Sequence, residues 1–460
     1  MKLTSFDRFV FVILAAFLGL TGLIVVRGDR VGVRVVSFSP PDGAENVPVR
    51  SQIQVAFDQQ LILTGNLRAL NIEPATSGTA QWDGETLKFY PTQPLQPNTI
   101  YTVTVPEGLS SADGPRTRHS VRWQFTTGHP KIVFMAPDAA DRHQLVVSDP
   151  ASDGVSRQLT EEEAGVWDYD VTPDGTSVAY AVVHPDSSSE LWLASLDGES
   201  RRQVLACPDA SCSGPAWSPE LTLTPEGARV QRLVYERREL SPERAQLPPR
   251  LWWLDVETGE TAPVFEDNQW LGFGASISPD GQWLAFVAPH LQGIAAYNLL
   301  DGRNLEIPSQ LGEPPVWSPN GFFLLTTDMV AREDGMFTSH LFRVNVESGQ
   351  SIDLSAEATL GDFSPTWSPD GGTIAFSRVG MDGPGGQIWT MSNAGEDQQQ
   401  LTDDPAIRHA ALSWSPDGGS LLFQQTLLQQ AAAAEVWERD LATGTMQRVA
   451  ESGAWPTWTP

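Results

Sequence analysis

The side chains able to do chemistry are few and scattered. Seven His stand at positions 119, 129, 143, 184, 290, 340 and 409. No two share the spacing that would bring them to one metal from a single helix or strand face. The chain has no Gly-x-Ser-x-Gly elbow, no His-Glu-x-x-His pair and no Gly-x-x-x-x-Gly-Lys phosphate loop. Its Asp-Gly turns lack the run of alternating acidic ligands that calcium requires. No catalytic residue, metal or cofactor is therefore expected. Cys207 and Cys212 lie in Cys-Pro-Asp-Ala-Ser-Cys. In an exported chain this pair reads as a disulfide pinning a loop; a metal site is the alternative, without a second Cys or His pair to complete it. Five residues remain as candidate binding residues: Asp168, Trp270, Asp362, His409 and Trp455.

Their claim rests on position within a repeat. Ser368-Pro369-Asp370-Gly371 follows one short apolar run and precedes another. Pro presets φ and Gly accepts φ > 0, so this is a turn with a mechanism. The turn recurs at Pro173, Pro219, Pro279, Pro319, Pro369, Pro416 and Pro460. Four short strands per period of about 40 to 50 residues mark a β-propeller blade. A Gly-bearing hairpin follows each third strand, for example Leu300-Asp301-Gly302 and Glu347-Ser348-Gly349. Residues 131–160 read as strands two to four of a blade that lacks its first strand. Residues 455–460 read as a first strand with no blade behind it. The last strand is therefore expected to complete the first blade, which leaves no exposed sheet edge and makes seven blades, with six as the alternative. Trp217, Trp317, Trp367, Trp414 and Trp458 share one blade position and read as packing residues. Trp270 and Trp455 fall in connections just before first strands, beside the expected channel mouth, and Asp168, Asp362 and His409 fall at comparable places. Two insertions, 237–250 and 424–435, read as loops on one face, with or without a partner.

Residues 33–128 carry about seven short alternating strands, as an immunoglobulin-like sandwich does. Leu95-Gln96-Pro97-Asn98-Thr99-Ile100-Tyr101 has the look of a tyrosine corner. Residues 9–26 form an uncharged apolar stretch of signal-anchor length, with a cleaved signal peptide as the alternative. The formal net charge is -28. Such a surface repels polyphosphate, so nucleic acid is not an expected partner; solubility explains the acidity, with scattered cation binding as the alternative.

Two resemblances follow. Residues 35–128 resemble the bacterial Ig-like domains of surface-layer and other exported proteins, through Ser39-Pro40-Pro41-Asp42-Gly43-Ala44, Val55-Ala56-Phe57-Asp58 and Phe125-Thr126-Thr127-Gly128. That resemblance implies a spacer or adhesive module without catalytic residues. The repeats are similar to the TolB-like propeller family, whose signature stands here as Pro365-Thr366-Trp367-Ser368-Pro369-Asp370-Gly371 and Leu412-Ser413-Trp414-Ser415-Pro416-Asp417-Gly418. Val171 and Ile277 replace the Trp in two repeats. The expected architecture is all-β: a transmembrane signal anchor over 1–30, an Ig-like sandwich over 33–128 and a seven-bladed propeller over 131–460. The expected protein is a single-pass cell-membrane protein with its domains outside the cytoplasm, a scaffold binding a protein or cell-envelope partner. The alternative is a lyase or hydrolase acting on glycans in the propeller channel.

Overall fold

The computed structural model describes residues 17, 32–61, 70–91, 93–110, 116–152, 154–219, 222–223, 229–230, 232–241, 245–332, 335–355, 361–380, 385–428 and 433–460. Two compact units divide the chain at Gly128 and His129. Among the described residues, no helix is long and apolar enough to cross a membrane. The anchor expected over 1–30 lies outside the described residues, apart from Phe17.

The first unit is a two-sheet sandwich. One sheet runs Val35–Ser39, Ile53–Phe57, Thr86–Pro91, Gly78–Asp83. The other runs Ala44–Val47, Val121–Thr127, Ile100–Val105, Asn71–Glu73. Alternation along Ile53–Phe57 sends Ile53, Val55 and Phe57 into the core. Trp123 is buried there and stacks on Phe38 at 4.4 Å between centroids. The corner expected at Tyr101 is formed: its hydroxyl oxygen accepts the Gln96 backbone N–H at 2.8 Å.

The second unit is all β, apart from the short 3-10 turns Pro150–Ser152 and Pro289–Leu291. Among the described residues, seven four-stranded antiparallel sheets follow one another. Five are simple meanders, such as Asp168–Val171, Ser177–Val183, Ser189–Ser195, Arg201–Cys207, and a sixth carries the hairpin Thr222–Leu223 and Arg229–Val230 between its first strand, Ala210–Trp217, and its second, Arg232–Glu239. The first sheet is assembled from both ends of the unit. Ala454–Trp458 pairs with Ile132–Pro137, followed by His143–Asp149 and Val155–Gln158. Lys131 N–H donates to Thr459 Oγ1 at 2.9 Å, and Thr459 N–H donates to Lys131 O at 2.8 Å.

First strands neighbour one another from sheet to sheet, from Asp168–Val171 onward to Ile407–Trp414 and Ala454–Trp458. Fourth strands such as Val155–Gln158 and Thr261–Pro263 are exposed. Second strands such as Trp283–Ala288 are buried throughout.

Each repeated residue type has a structural task. Ser368 Oγ donates to Asp370 Oδ1 at 2.6 Å and accepts Thr373 N–H at 2.9 Å; Asp370 Oδ1 also accepts Gly372 N–H at 2.9 Å. Gly371 supplies the positive φ of 70° that closes the turn. The same brace joins Ser278 to Asp280 and Ser415 to Asp417. In four repeats the shared Trp ties one sheet to the preceding one, whereas the Trp458 indole N–H is buried without a hydrogen-bond partner. The indole N–H of Trp217 donates to Asp170 O at 3.1 Å, Trp317 to Ser276 O at 3.2 Å, Trp367 to Val316 O at 3.4 Å and Trp414 to Thr366 O at 3.4 Å. Each such bond contributes about 1 kcal/mol net.

Cys207 and Cys212 are joined, with Cα atoms 6.2 Å apart. They sit in two strands, Arg201–Cys207 and Ala210–Trp217, so the bridge links the last strand of one sheet to the first of the next. The insertions are also partly strand. Arg232–Glu239 runs through 237–239, Arg250 opens the next strand, and Ser420–Leu427 takes up 424–427. Extended pairing in these hairpins accounts for residues expected in loops.

Deleting residues 454–460 strips the first sheet of its inner strand and bares the edge of Ile132–Pro137. The truncated chain is expected to lose the calorimetric transition of the whole ring. A thermogram matching that of the full chain would show that the closure carries no stability.

Candidate functional site

Of the five residues singled out by position, the ring brings two together. Asp362 is fully buried. Its Oδ1 accepts from Arg378 Nε at 2.6 Å and its Oδ2 from Arg378 Nη2 at 2.8 Å; the Ser355 hydroxyl donates to Oδ2 at 2.6 Å. The Arg378 guanidinium lies over the Phe376 and Trp389 rings. Asp362 is thus the anion of a buried ion pair. His409 is also buried; its Nδ1 lies 2.8 Å from Gly386 O, and its ring meets the Phe423 face edge-on. Burial holds its pKa below the ordinary imidazole value. A neutral ring donating from Nδ1 is a structural cross-brace. Trp270 packs on Phe265 at 4.7 Å and against Phe286, Tyr297 and His290.

Asp168 and Trp455 share a cleft of about 290 Å³ between the first and second sheets. Trp167, Tyr169 and Asp170 complete it on the Asp168 side, with Met135 and Thr457 from the first sheet. Trp167 is 65% exposed and Trp455 54% exposed. Alternation along Asp168–Val171 sends Asp168 and Asp170 to one side of the strand and Tyr169 to the other. The Tyr169 hydroxyl lies 2.9 Å from Val133 O and 2.5 Å from Trp455 O, so it fastens the second sheet to both strands of the seam.

Both carboxylates also face the third sheet. Asp168 Oδ2 accepts Gly214 N–H at 2.7 Å, and Asp170 Oδ2 accepts Trp217 N–H at 2.9 Å. Asp168 Oδ1 is shielded from water and has no hydrogen-bond partner. Burial pushes the Asp168 carboxyl up to about 7; the Gly214 N–H and Arg238 oppose this and Glu236 adds to it. Burial likewise pushes Asp170 up to about 7, against the N–H groups of Trp217 and Val171.

Trp455 sits at a special backbone position. Five first strands carry a break in register with a residue at positive φ, the third before the shared Trp or its Ile replacement. These residues are Gly214, Gly274, Ser364, Ala411 and Trp455. At Trp455 φ is 48°, a conformation that a bulky side chain adopts only against strain. Trp455 therefore lies within its strand, not in the connection before it.

Trp167, Tyr169 and Asp170 escaped the positional reading, although a signal was present. The run Trp167-Asp168-Tyr169-Asp170 stands where other repeats carry Pro-x-Trp. Trp455 stands where four sister repeats carry Gly214, Gly274, Ser364 and Ala411. Among the described residues, no group of three or more His, Cys, Asp or Glu could hold a metal ion.

Residues 29–127 match the family model described as "Bacterial Ig-like domain". Solved structures similar to the chain include the following three. TolB from Acinetobacter baumannii shares 16% identity at a TM-score of 0.41, over 72% of this chain and 83% of that one. The β-propeller domain of the trilobed protease from Pyrococcus furiosus shares 11% identity at 0.48, over 70% of this chain and 95% of that one. An oligogalacturonate lyase in complex with manganese shares 17% at 0.40, over 63% and 74%. No curated protein matches the chain.

Two outcomes are expected of variants. Asp362→Ala strands the Arg378 guanidinium in the core and is expected to cost about 3–5 kcal/mol in denaturant unfolding. An unchanged midpoint would show that the pair is not structural. For Asp168, the folded state holds the proton more tightly than the unfolded chain, whose carboxyl keeps its ordinary 3.8. Stability therefore falls as pH rises from about 4 through about 7. Asp168→Asn lacks that loss, so its melting temperature should exceed wild type at pH 8 and equal it at pH 3.

Proposed function

We propose that this chain is a membrane-anchored binding protein with its folded domains outside the cytoplasm. Residues 1–30 anchor it and the Ig-like domain is a spacer. The seven sheets serve as the blades of a propeller that presents a cleft to a protein or ligand of the cell envelope. The observation that carries this reading is the pair of exposed tryptophans, Trp167 and Trp455, on one cleft. Exposed aromatic side chains rimming a concavity are the usual anchors of recognition. The repeated Ser, Asp and Trp side chains are meanwhile engaged in turns and sheet-to-sheet bonds. Asp168 and Asp170 each hold a backbone N–H of the next sheet, which favours binding over glycan cleavage at this cleft. The disulfide suits an oxidising compartment.

The test uses the full chain expressed in membranes. It should stay with the membrane through an alkaline carbonate wash, and after detergent extraction it should retain an envelope component on an affinity matrix. Trp167→Ala and Trp455→Ala should each abolish that retention. Release by carbonate would overturn the anchor. Retention unchanged in both variants would overturn the cleft as the binding site.

A further inference from the structure

We infer that the cleft between the first and second sheets receives an organic ammonium ion: a positively charged nitrogen on an apolar body. The inference rests on the binding reading above and names its ligand class. Three aromatic side chains, Trp167, Tyr169 and Trp455, line the cleft together with two carboxylates, Asp168 and Asp170. Aromatic faces attract cations through the ring quadrupole, most strongly where water is displaced. Asp168 and Asp170, each with one oxygen turned to the third sheet, add negative potential to the cleft in their ionised form. Met135 and Thr457 complete the lining, which contains no Lys, Arg, His, Asn or Gln. Such a wall offers nothing to an anion and few donors to a sugar. The Tyr169 hydroxyl is already turned to backbone carbonyls. A hard metal ion needs a shell of oxygens, and aromatic walls supply none.

The surrounding charges leave the site's own charge uncompensated. Arg238, the cation nearest in effect to Asp168, is held by Glu236 at 2.7 Å. Asp168 keeps one shielded oxygen with no donor. The chain as a whole, at -28, draws cations toward any such cleft.

The strained backbone gives independent support. Sister sheets place Gly, Gly, Ser and Ala at the positive-φ position. Only the sheet that borders this cleft places Trp there, at a cost in conformational energy and with more than half of the side chain left in solvent. The Trp455 ring meets the His143 ring edge-on at 6.1 Å, yet 54% of the residue stays in solvent, and a ligand would cover that remainder.

The full chain in detergent is titrated with choline and with its neutral isostere 3,3-dimethylbutan-1-ol, followed by tryptophan fluorescence and calorimetry. Choline is expected to bind at least about tenfold more tightly than the isostere. Trp455→Ala and Trp167→Ala should each weaken choline about tenfold or more while keeping the wild-type thermal transition at pH 7, and Asp168→Asn should weaken it likewise while melting above wild type at that pH. A third titrant, Nα-acetyl-lysine methylamide, separates sources. Binding of both cations points to a lysine side chain of a partner, and binding of choline alone to a free small ammonium. Equal affinity for choline and the isostere, or no binding of any cation, overturns the inference. If envelope capture through Trp167 and Trp455 persists in that case, the binding reading stands without it. If capture is lost as well, both fail.

Discussion

The ring depends on a pairing between segments far apart in the chain. Ala454–Trp458 completes a sheet whose other three strands begin at Ile132, and Lys131 and Thr459 exchange hydrogen bonds across a separation of 328 residues. Six sheets are built from local hairpins, each able to form from its own sequence. The first cannot form until both ends meet. Closing so long a loop costs entropy that grows only slowly with length, so one strand pairing and its buried contacts can offset it. The reward is the removal of an edge: without Ala454–Trp458, the strand Ile132–Pro137 would present unpaired backbone groups to any passing strand.

Between these limits the same few side chains repeat their work. The Ser–Asp brace sets the geometry of the first turn within a sheet, and the indole donor sets the distance to the preceding sheet. These two operations are separable, which explains why Val171 and Ile277 can replace the Trp while the turns at Asp174 and Asp280 persist. At one junction, between the second and third sheets, the Cys207–Cys212 bridge adds a covalent tie. The indole of Trp217 donates across that same junction.

Much of the fold was legible because turn chemistry is demanding. A residue at positive φ, a hydroxyl that must reach across five residues and a carboxylate that must accept two donors leave few choices, so the sequence repeats them visibly. The sandwich was legible for the same reason, through Tyr101 and the strand alternation around it. The cleft was only half legible. Asp168, Asp362 and His409 occupy comparable places, yet their fates diverge through partners that position does not reveal. Arg378 neutralises Asp362 from the next strand, and Gly386 O captures His409. Nothing comparable meets Asp168 Oδ1. Trp167, Tyr169 and Asp170 were passed over because they stand where the repeat signature is missing, and a missing signature does not say what its replacement does.

The cleft lies on the seam itself. Its walls come from Met135, from residues 167–170 and from Trp455 and Thr457, so they face one another only when the two ends of the unit have met. Whatever occupies it binds the closed ring and not the open one. Occupancy then acts as a clasp: mass action adds about 2.7 kcal/mol to closure at a ligand concentration a hundred times its dissociation constant. The molecule's resistance to opening thereby becomes a gauge of its surroundings.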